Sequence, residues 1–390
     1  MAYYKSFSIN GKAVKALKLN GEAVKLQTID HSAHPLRFTM TGGTMGDISF
    51  VFANAPGGLT INVTAYDGSN PEPIAGGSYS LTPEADTKYF LSSLVGIDHL
   101  EKGQYYEVSF PEIATGVVPT FNGSTSLDGT YEVTGNLGTL GTTGYGMGCY
   151  RLLFRGDTTI TSAELYNDGT LGMFCYDAMF RNCTALKSFK GTLMNGTGIF
   201  EVPDYAFRNT FSGCTSLKSC SFCSFTGEPV IHDNTFAKTF YNCTSLETVD
   251  MSFVSGTYLG DQHANTECWQ CASSCGYLQC FYNCEMLHGL RPVFLAMKND
   301  LNGNYKQMFY RAGLGSSENL FTGPIYVGSA SYYEDVGYTS YSDFTDVFKD
   351  AKVGEIVYPA AFEDDASFNA ASGSPEFGAR VTEITFRDVN

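Results

Sequence analysis

Hydrophobic and polar residues alternate in three different ways along this chain. Over residues 8–27 a short unit occurs twice, as Ile9-Asn10-Gly11-Lys12-Ala13-Val14-Lys15 and then Leu19-Asn20-Gly21-Glu22-Ala23-Val24-Lys25. Asn-Gly between alternating apolar residues favours a type I′ turn, so two small hairpins are expected at Asn10-Gly11 and Asn20-Gly21. Hairpins of that size are marginal alone in water and need a surface to pack on. Over 36–140 the period is two: Leu36-Arg37-Phe38-Thr39-Met40, Ile48-Ser49-Phe50-Val51-Phe52 and Leu59-Thr60-Ile61-Asn62-Val63 are separated by Gly, Pro, Asn and Asp. Tyr105 to Phe110 and Tyr131 to Val133 continue the series, which predicts a small all-β, sandwich-like domain. A Gly- and Thr-rich stretch from Gly135 to Gly148 reads as its boundary.

From about residue 150 the pattern becomes a repeat of the form Phe-x-x-Cys-x-x-Leu-x-x-apolar. Its clearest copies are Phe180/Cys183/Leu186, Phe211/Cys214/Leu217, Phe240/Cys243/Leu246 and Phe281/Cys284/Leu287. A degenerate copy precedes them (Phe154, Asp157, Ile160), and two follow (Phe309 with Ala312, Phe348 with Ala351). Each unit predicts a short helical turn ending in Phe and Cys, then a strand entered through Leu. No single unit can bury such a row, but stacked units bury a continuous one. Ala in the Cys position of two copies marks that position as a small packing group, not half of a disulfide. The copies recur at spacings of 26 to 41 residues, so the longer units carry insertions, at 251–279 and 315–345. The expected fold is therefore mainly β with short helices. It comprises an N-terminal hairpin anchor (1–35), an all-β domain (36–140) and a repeat solenoid with a C-terminal cap (141–390).

The repeat, with its Asn-Cys-Thr-Ser-Leu core, resembles the BspA-type leucine-rich repeat. More specifically, it resembles the aromatic, Cys-containing form found in gut-bacterial surface proteins and in proteins of their phages and prophages. The resemblance covers roughly 150–390. The stretch Ile356-Val357-Tyr358-Pro359, followed by Phe368 and Phe377, resembles that family's closing strand and capping helix. Residues 36–140 resemble a β-domain that precedes the repeats in some members, and the Asn-Gly hairpins look like segments at the start of phage structural proteins. The resemblance implies a curved solenoid with a parallel sheet on one face, an adhesin or appendage role, and no enzymatic activity.

Charge narrows the partners. The net charge is −16, yet Lys5, Lys12, Lys15, Lys18 and Lys25 against Glu22 leave the first 26 residues at +4. An acidic body repels nucleic acid and anionic membranes, so neither nucleic-acid binding nor membrane insertion is expected; the basic start suits an acidic partner or is a solvated face. The opening residues lack the apolar core of an export signal, and on that reading the chain is made in the cytoplasm of its host and released by lysis. The leading expectation is a phage virion structural or appendage protein, a head or tail decoration or a fibre. It would contact other virion proteins through the N-terminal segment, associate with itself, and present a repeat surface to a host glycan or protein or stabilise the particle. The alternative is a bacterial cell-surface adhesin.

Candidate chemistry is sparse. Cys268, Cys271, Cys275 and Cys280, close to Cys284, have spacings open to a zinc site, to a disulfide formed after release, or to packed free thiols. Arg155-Gly156-Asp157 spells an adhesion tripeptide, and Asn182-Cys183-Thr184 and Asn242-Cys243-Thr244 match a glycosylation acceptor, but all three fall on the repeat's own grammar. The six His are scattered and form no nucleophile or zincin pattern. No catalytic residue, cofactor site or enzymatic activity is expected.

Overall fold

The computed structural model describes residues 8–9, 12–13, 17–19, 22–24, 30–54, 57–70, 72–111, 119–140, 150–167, 171–252, 267–269, 276–291, 293–296, 305–328, 346–358 and 381–386. The chain is mainly β, with very few helices. At the start, β1 (Ser8–Ile9) pairs antiparallel with β2 (Lys12–Ala13), and β3 (Leu17–Leu19) with β4 (Glu22–Val24). The turn residues Asn10, Gly11, Asn20 and Gly21 lie outside the described residues.

Two sheets then share a core. β5 (Leu36–Gly42), β7 (Leu59–Tyr66), β8 (Pro73–Leu81), β10 (Tyr105–Ser109) and β12 (Thr130–Asn136) join antiparallel in the order β12-β5-β10-β7-β8. A smaller sheet has the order β11-β6-β9, from β6 (Ile48–Val51), β9 (Lys88–Phe90) and β11 (Thr120–Gly123). Strict alternation decides which side chains turn in: Leu36, Phe38 and Met40 of β5, Ile61, Val63 and Ala65 of β7, and Tyr131 and Val133 of β12 are buried. They meet Phe50 and Phe121 of the smaller sheet, with the Phe38 and Phe121 rings 5.1 Å apart. One short helix, α1 (Leu91–Val95), packs at the edge and ends on Gly96 in the left-handed conformation that glycine adopts without strain.

The sheet does not stop where the antiparallel domain ends. β12 pairs with β5 on one side and, in parallel, with β13 (Ile160–Tyr166) on the other. β14 (Ser188–Val202), β15 (Ser219–Ile231) and β16 (Thr248–Ser252) follow, all parallel. These strands form one wall of a β-solenoid. A second parallel sheet runs through β17 (Glu267–Trp269), β18 (Val293–Ala296), β19 (Ile325–Gly328), β20 (Val353–Tyr358) and β21 (Val381–Phe386). Buried apolar residues from Leu36 to Ile356 make a single contiguous core.

The opposite wall corrects the helical turns read from the spacing. Among the described residues the repeat region holds no helix; each coil is instead a ribbon of successive turns. In residues 172–183 the N–H groups of Cys175, Asp177, Met179, Arg181 and Cys183 donate to the carbonyl three residues back. Those of Phe174, Tyr176, Ala178, Phe180 and Asn182 donate to Asp204, Ala206, Arg208, Thr210 and Ser212 of the next coil. Every fourth residue is left-handed: Phe174, Ala178 and Asn182 have φ of 60°, 54° and 64°, and Tyr205, Asn209 and Gly213 take the same places one coil on. A non-glycine residue in that region is strained by about 1 kcal/mol or more. The ribbon keeps it because backbone donors then alternate between the coil's own chain and its neighbour. A helix also puts residues i and i+4 on one face, so aromatic spacing alone does not separate the two structures. The capping helix suggested by Phe368 and Phe377 lies outside the described residues.

Candidate interaction surface

The repeat residues all point inward. Phe154, Phe180, Phe211, Phe240, Phe281, Phe309 and Phe348 are fully buried and stack in that order, with successive ring centroids 4.9, 5.6, 5.4, 5.4, 5.4 and 5.6 Å apart. Near-parallel rings at that separation add about 0.5–1.5 kcal/mol per pair beyond area burial. Each Cys donates its thiol to the carbonyl of the preceding coil's Phe: Cys183 to Phe154, Cys214 to Phe180, Cys243 to Phe211 and Cys284 to Phe240, at 2.9 to 3.1 Å. Burial pushes all four thiols well above the usual range, so they stay protonated and pack as small apolar groups. Ile160, Leu186, Leu217, Leu246 and Leu287 complete the row at 0% exposure.

A second aromatic column runs beside the first: Tyr150, Tyr176, Phe207, Phe236, Tyr277 and Tyr305, at 5.1 to 5.8 Å. Its signal in the sequence is an aromatic four residues before each repeat Phe, which the seven-residue Phe-to-Leu unit leaves out.

Asp157, the Cys substitute of the first coil, is 2% exposed. Its carboxylate accepts from the backbone N–H of Thr159, Ile160 and Gly123, at 2.6, 2.9 and 2.7 Å, and from the Thr159 hydroxyl. Gly123 belongs to β11, so this side chain ties the first coil to the antiparallel sheets. The residue that completes the Arg-Gly-Asp tripeptide is thus occupied inside the protein. Asn182 and Asn242 fill left-handed turn positions, which Asn tolerates better than most residues. Of the Cys cluster, Cys280 is buried with its thiol pushed up by burial. The side chain of Cys268, and Cys271 and Cys275 altogether, lie outside the described residues.

Two rows of side chains on the turn wall reach solvent. In the first, the buried Asp177 carboxylate receives Arg208 through two nitrogens at 2.9 Å and Arg151 through Nε at 3.1 Å. Arg208 lies over the rings of Tyr205 and Phe174, which stack at 4.6 Å. The hydrogen bonds to Asp177 hold the Arg208 pKa above its ordinary value. Two guanidinium groups meet one carboxylate, leaving an excess positive charge on an acidic chain. Arg151 keeps 51% of its side chain exposed over Phe174. In the second row, Tyr241, Tyr282 and Tyr310 stack at 4.8 and 4.7 Å. Gln279, Gln307 and Asp346 form a hydrogen-bonded chain from coil to coil. Stacking hides the ring faces, so this row offers edges and hydroxyls. Burial, then the neighbouring tyrosines, raise the Tyr282 pKa.

The strand wall carries a polar row. Residues Glu132, Ser162, Ser188, Ser219 and Thr248 stand opposite one another across β12 to β16. Lys190 and Glu164 pair at 3.9 Å, Lys218 and Glu247 at 3.1 Å.

No family model, curated protein or solved structure matches the chain.

Proposed function

We propose that this chain works by display, as a phage virion structural or appendage protein of the BspA-type leucine-rich-repeat kind, with 36–140 as a sandwich-like spacer and 1–35 as the anchoring hairpins. The observation that carries the reading is the division of labour in each coil. Every repeat Phe, Cys and Leu is consumed in the core, while side chains beside them build extended rows that reach solvent. Such a scaffold is a rigid support for contacts that no single loop could position.

The Arg151, Phe174, Tyr205 and Arg208 patch is the contact best suited to an acidic group on a host surface glycan or protein. A guanidinium stacked on aromatic rings is positioned in advance and recognises carboxylate through directed hydrogen bonds. A binding assay of the labelled chain on bacterial cells tests this role: Arg151→Ala lowers binding several-fold if the patch is the contact, and unchanged binding removes it. The carrier is tested separately, with antibody against the chain on purified particles and on cell envelopes. A fixed copy number per particle supports the virion reading, whereas signal confined to envelopes supports an adhesin.

A further inference from the structure

The free edge of the nine-stranded sheet is β8, which pairs with β7 on one side and with no strand on the other among the described residues. A row of unpaired backbone donors and acceptors accepts a particular kind of occupant, another β-strand. Edges are ordinarily guarded by charge, above all Lys, by bulges or by shortness. Residues 73–81, Pro-Ile-Ala-Gly-Gly-Ser-Tyr-Ser-Leu, make a nine-residue strand without one charged residue, in a chain of net charge −16. Its guards stand at the very start: Pro73, and an irregularity in the pairing with β7 that leaves Ile74 without a partner there. Gly76 and Gly77 leave the backbone bare at the middle of the strand, and Ile74 is 46% exposed.

The core also runs off this edge. Ala75, Gly77, Tyr79 and Leu81 stand opposite Ala65, Val63, Ile61 and Leu59 of β7, and Ala65, Val63 and Ile61 are fully buried. Ala75, Tyr79 and Leu81 are half-covered hydrophobics packed against the core with nothing beyond them in the sheet.

We infer that β8 is a self-association edge, where the β8 of a second copy pairs antiparallel about a two-fold axis at Gly77. Neutrality favours a second copy: two such strands meet without opposing like charges. Register narrows the arrangement, and an axis at the central residue of the strand pairs all nine of its residues. Directly opposite residues in an antiparallel pair share a face, so with Gly77 facing Gly77 of the partner subunit, Tyr79 faces Ala75 of the partner subunit and both core faces fuse. A shift of one residue would place Tyr79 against a solvent-facing position. The inference is independent of whether a particle or a cell carries the chain.

Sedimentation of the full chain at micromolar concentration tests it, alongside Ser78→Lys/Ser80→Lys, which places like charges across the two-fold axis while touching no core residue. Wild type at twice the chain mass, and the variant at the single-chain mass with the circular dichroism spectrum of the wild type, is the expected result. A monomeric wild type, or a variant that stays dimeric, overturns the inference. Should the variant fail to fold, hydrogen exchange of wild type decides. Amides of 74–81 exchange more slowly as concentration rises if the edge pairs with itself, and at one rate throughout if it does not.

Discussion

The antiparallel sheets and the solenoid fill one core by opposite means. In the antiparallel part every buried position is different, and order comes from specific polar contacts. Asp47 is the clearest case: buried, it accepts from the N–H of Ile48 and Ser92, from the Ser92 hydroxyl at 2.6 Å and from Tyr106, while Tyr131 donates to its carbonyl. The solenoid instead repeats one solution, with the same ring, thiol and carbonyl passed from coil to coil. The difference shows where specificity resides: in individual side chains for the first region, and in periodicity for the second. Asp157 stands at the junction. It holds the slot of a repeat Cys, yet bonds like Asp47, to backbone donors from both regions.

That contrast can be broken most forcefully in the stack. Phe211→Ala or Phe240→Ala removes a ring lying between two others and is expected to lower stability by about 3–5 kcal/mol, measured by denaturant unfolding. An unchanged midpoint would mean that the column does not stabilise the solenoid. Asp157→Ala leaves three buried N–H groups without an acceptor and is expected to cost about 2–3 kcal/mol. Because the carboxylate bridges the regions, its loss should also separate their unfolding into two transitions; a single transition would deny it the junction role. Cys214→Ala is milder, about 1 kcal/mol, since a small group replaces a small group and one thiol hydrogen bond is lost. Thiol reagents should leave Cys183, Cys214, Cys243 and Cys284 unmodified until the chain unfolds.

The smallest effect concerns pH. Burial raises the pKa of Asp47 despite the hydrogen bonds that oppose the shift. A raised carboxylate binds its proton more tightly when folded, so its contribution to stability is fully present below the unfolded pKa. It is lost as pH rises through the folded value. Asp47→Asn should flatten that part of the stability profile between acid and neutral pH, and an identical slope in both proteins would contradict the assignment.

Much of this was legible in the residues. The Phe, Cys and Leu positions of the repeat, and the period-two strands from Leu36 to Val133, announce burial through spacing alone. The ribbon of turns was not legible, because Tyr176 and Phe180 share a face in a helix as well. What distinguishes the two is the destination of each N–H, a relation between coils some 30 residues apart. The second aromatic column is hidden for a related reason, since both Tyr and Phe occupy it and break the apparent consensus. The Arg151 and Arg208 patch draws on three coils with no shared motif. The continuity of β12 with β13 was hidden by the Gly-rich stretch between them in sequence, which reads as a boundary although the two strands pair directly.

Residue-resolved amide exchange across 172–183 and 203–214 bears most directly on the stacked coil. Neither segment is helix or strand, yet all ten N–H groups from Phe174 to Cys183 have backbone acceptors, five of them in the next coil. Protection there is expected to be comparable to that of the neighbouring strands, in both the odd- and even-numbered amides. Exchange at the rate of an exposed loop, or protection only of the amides that bond within their own coil, odd-numbered in 172–183 and even-numbered in 203–214, would contradict it.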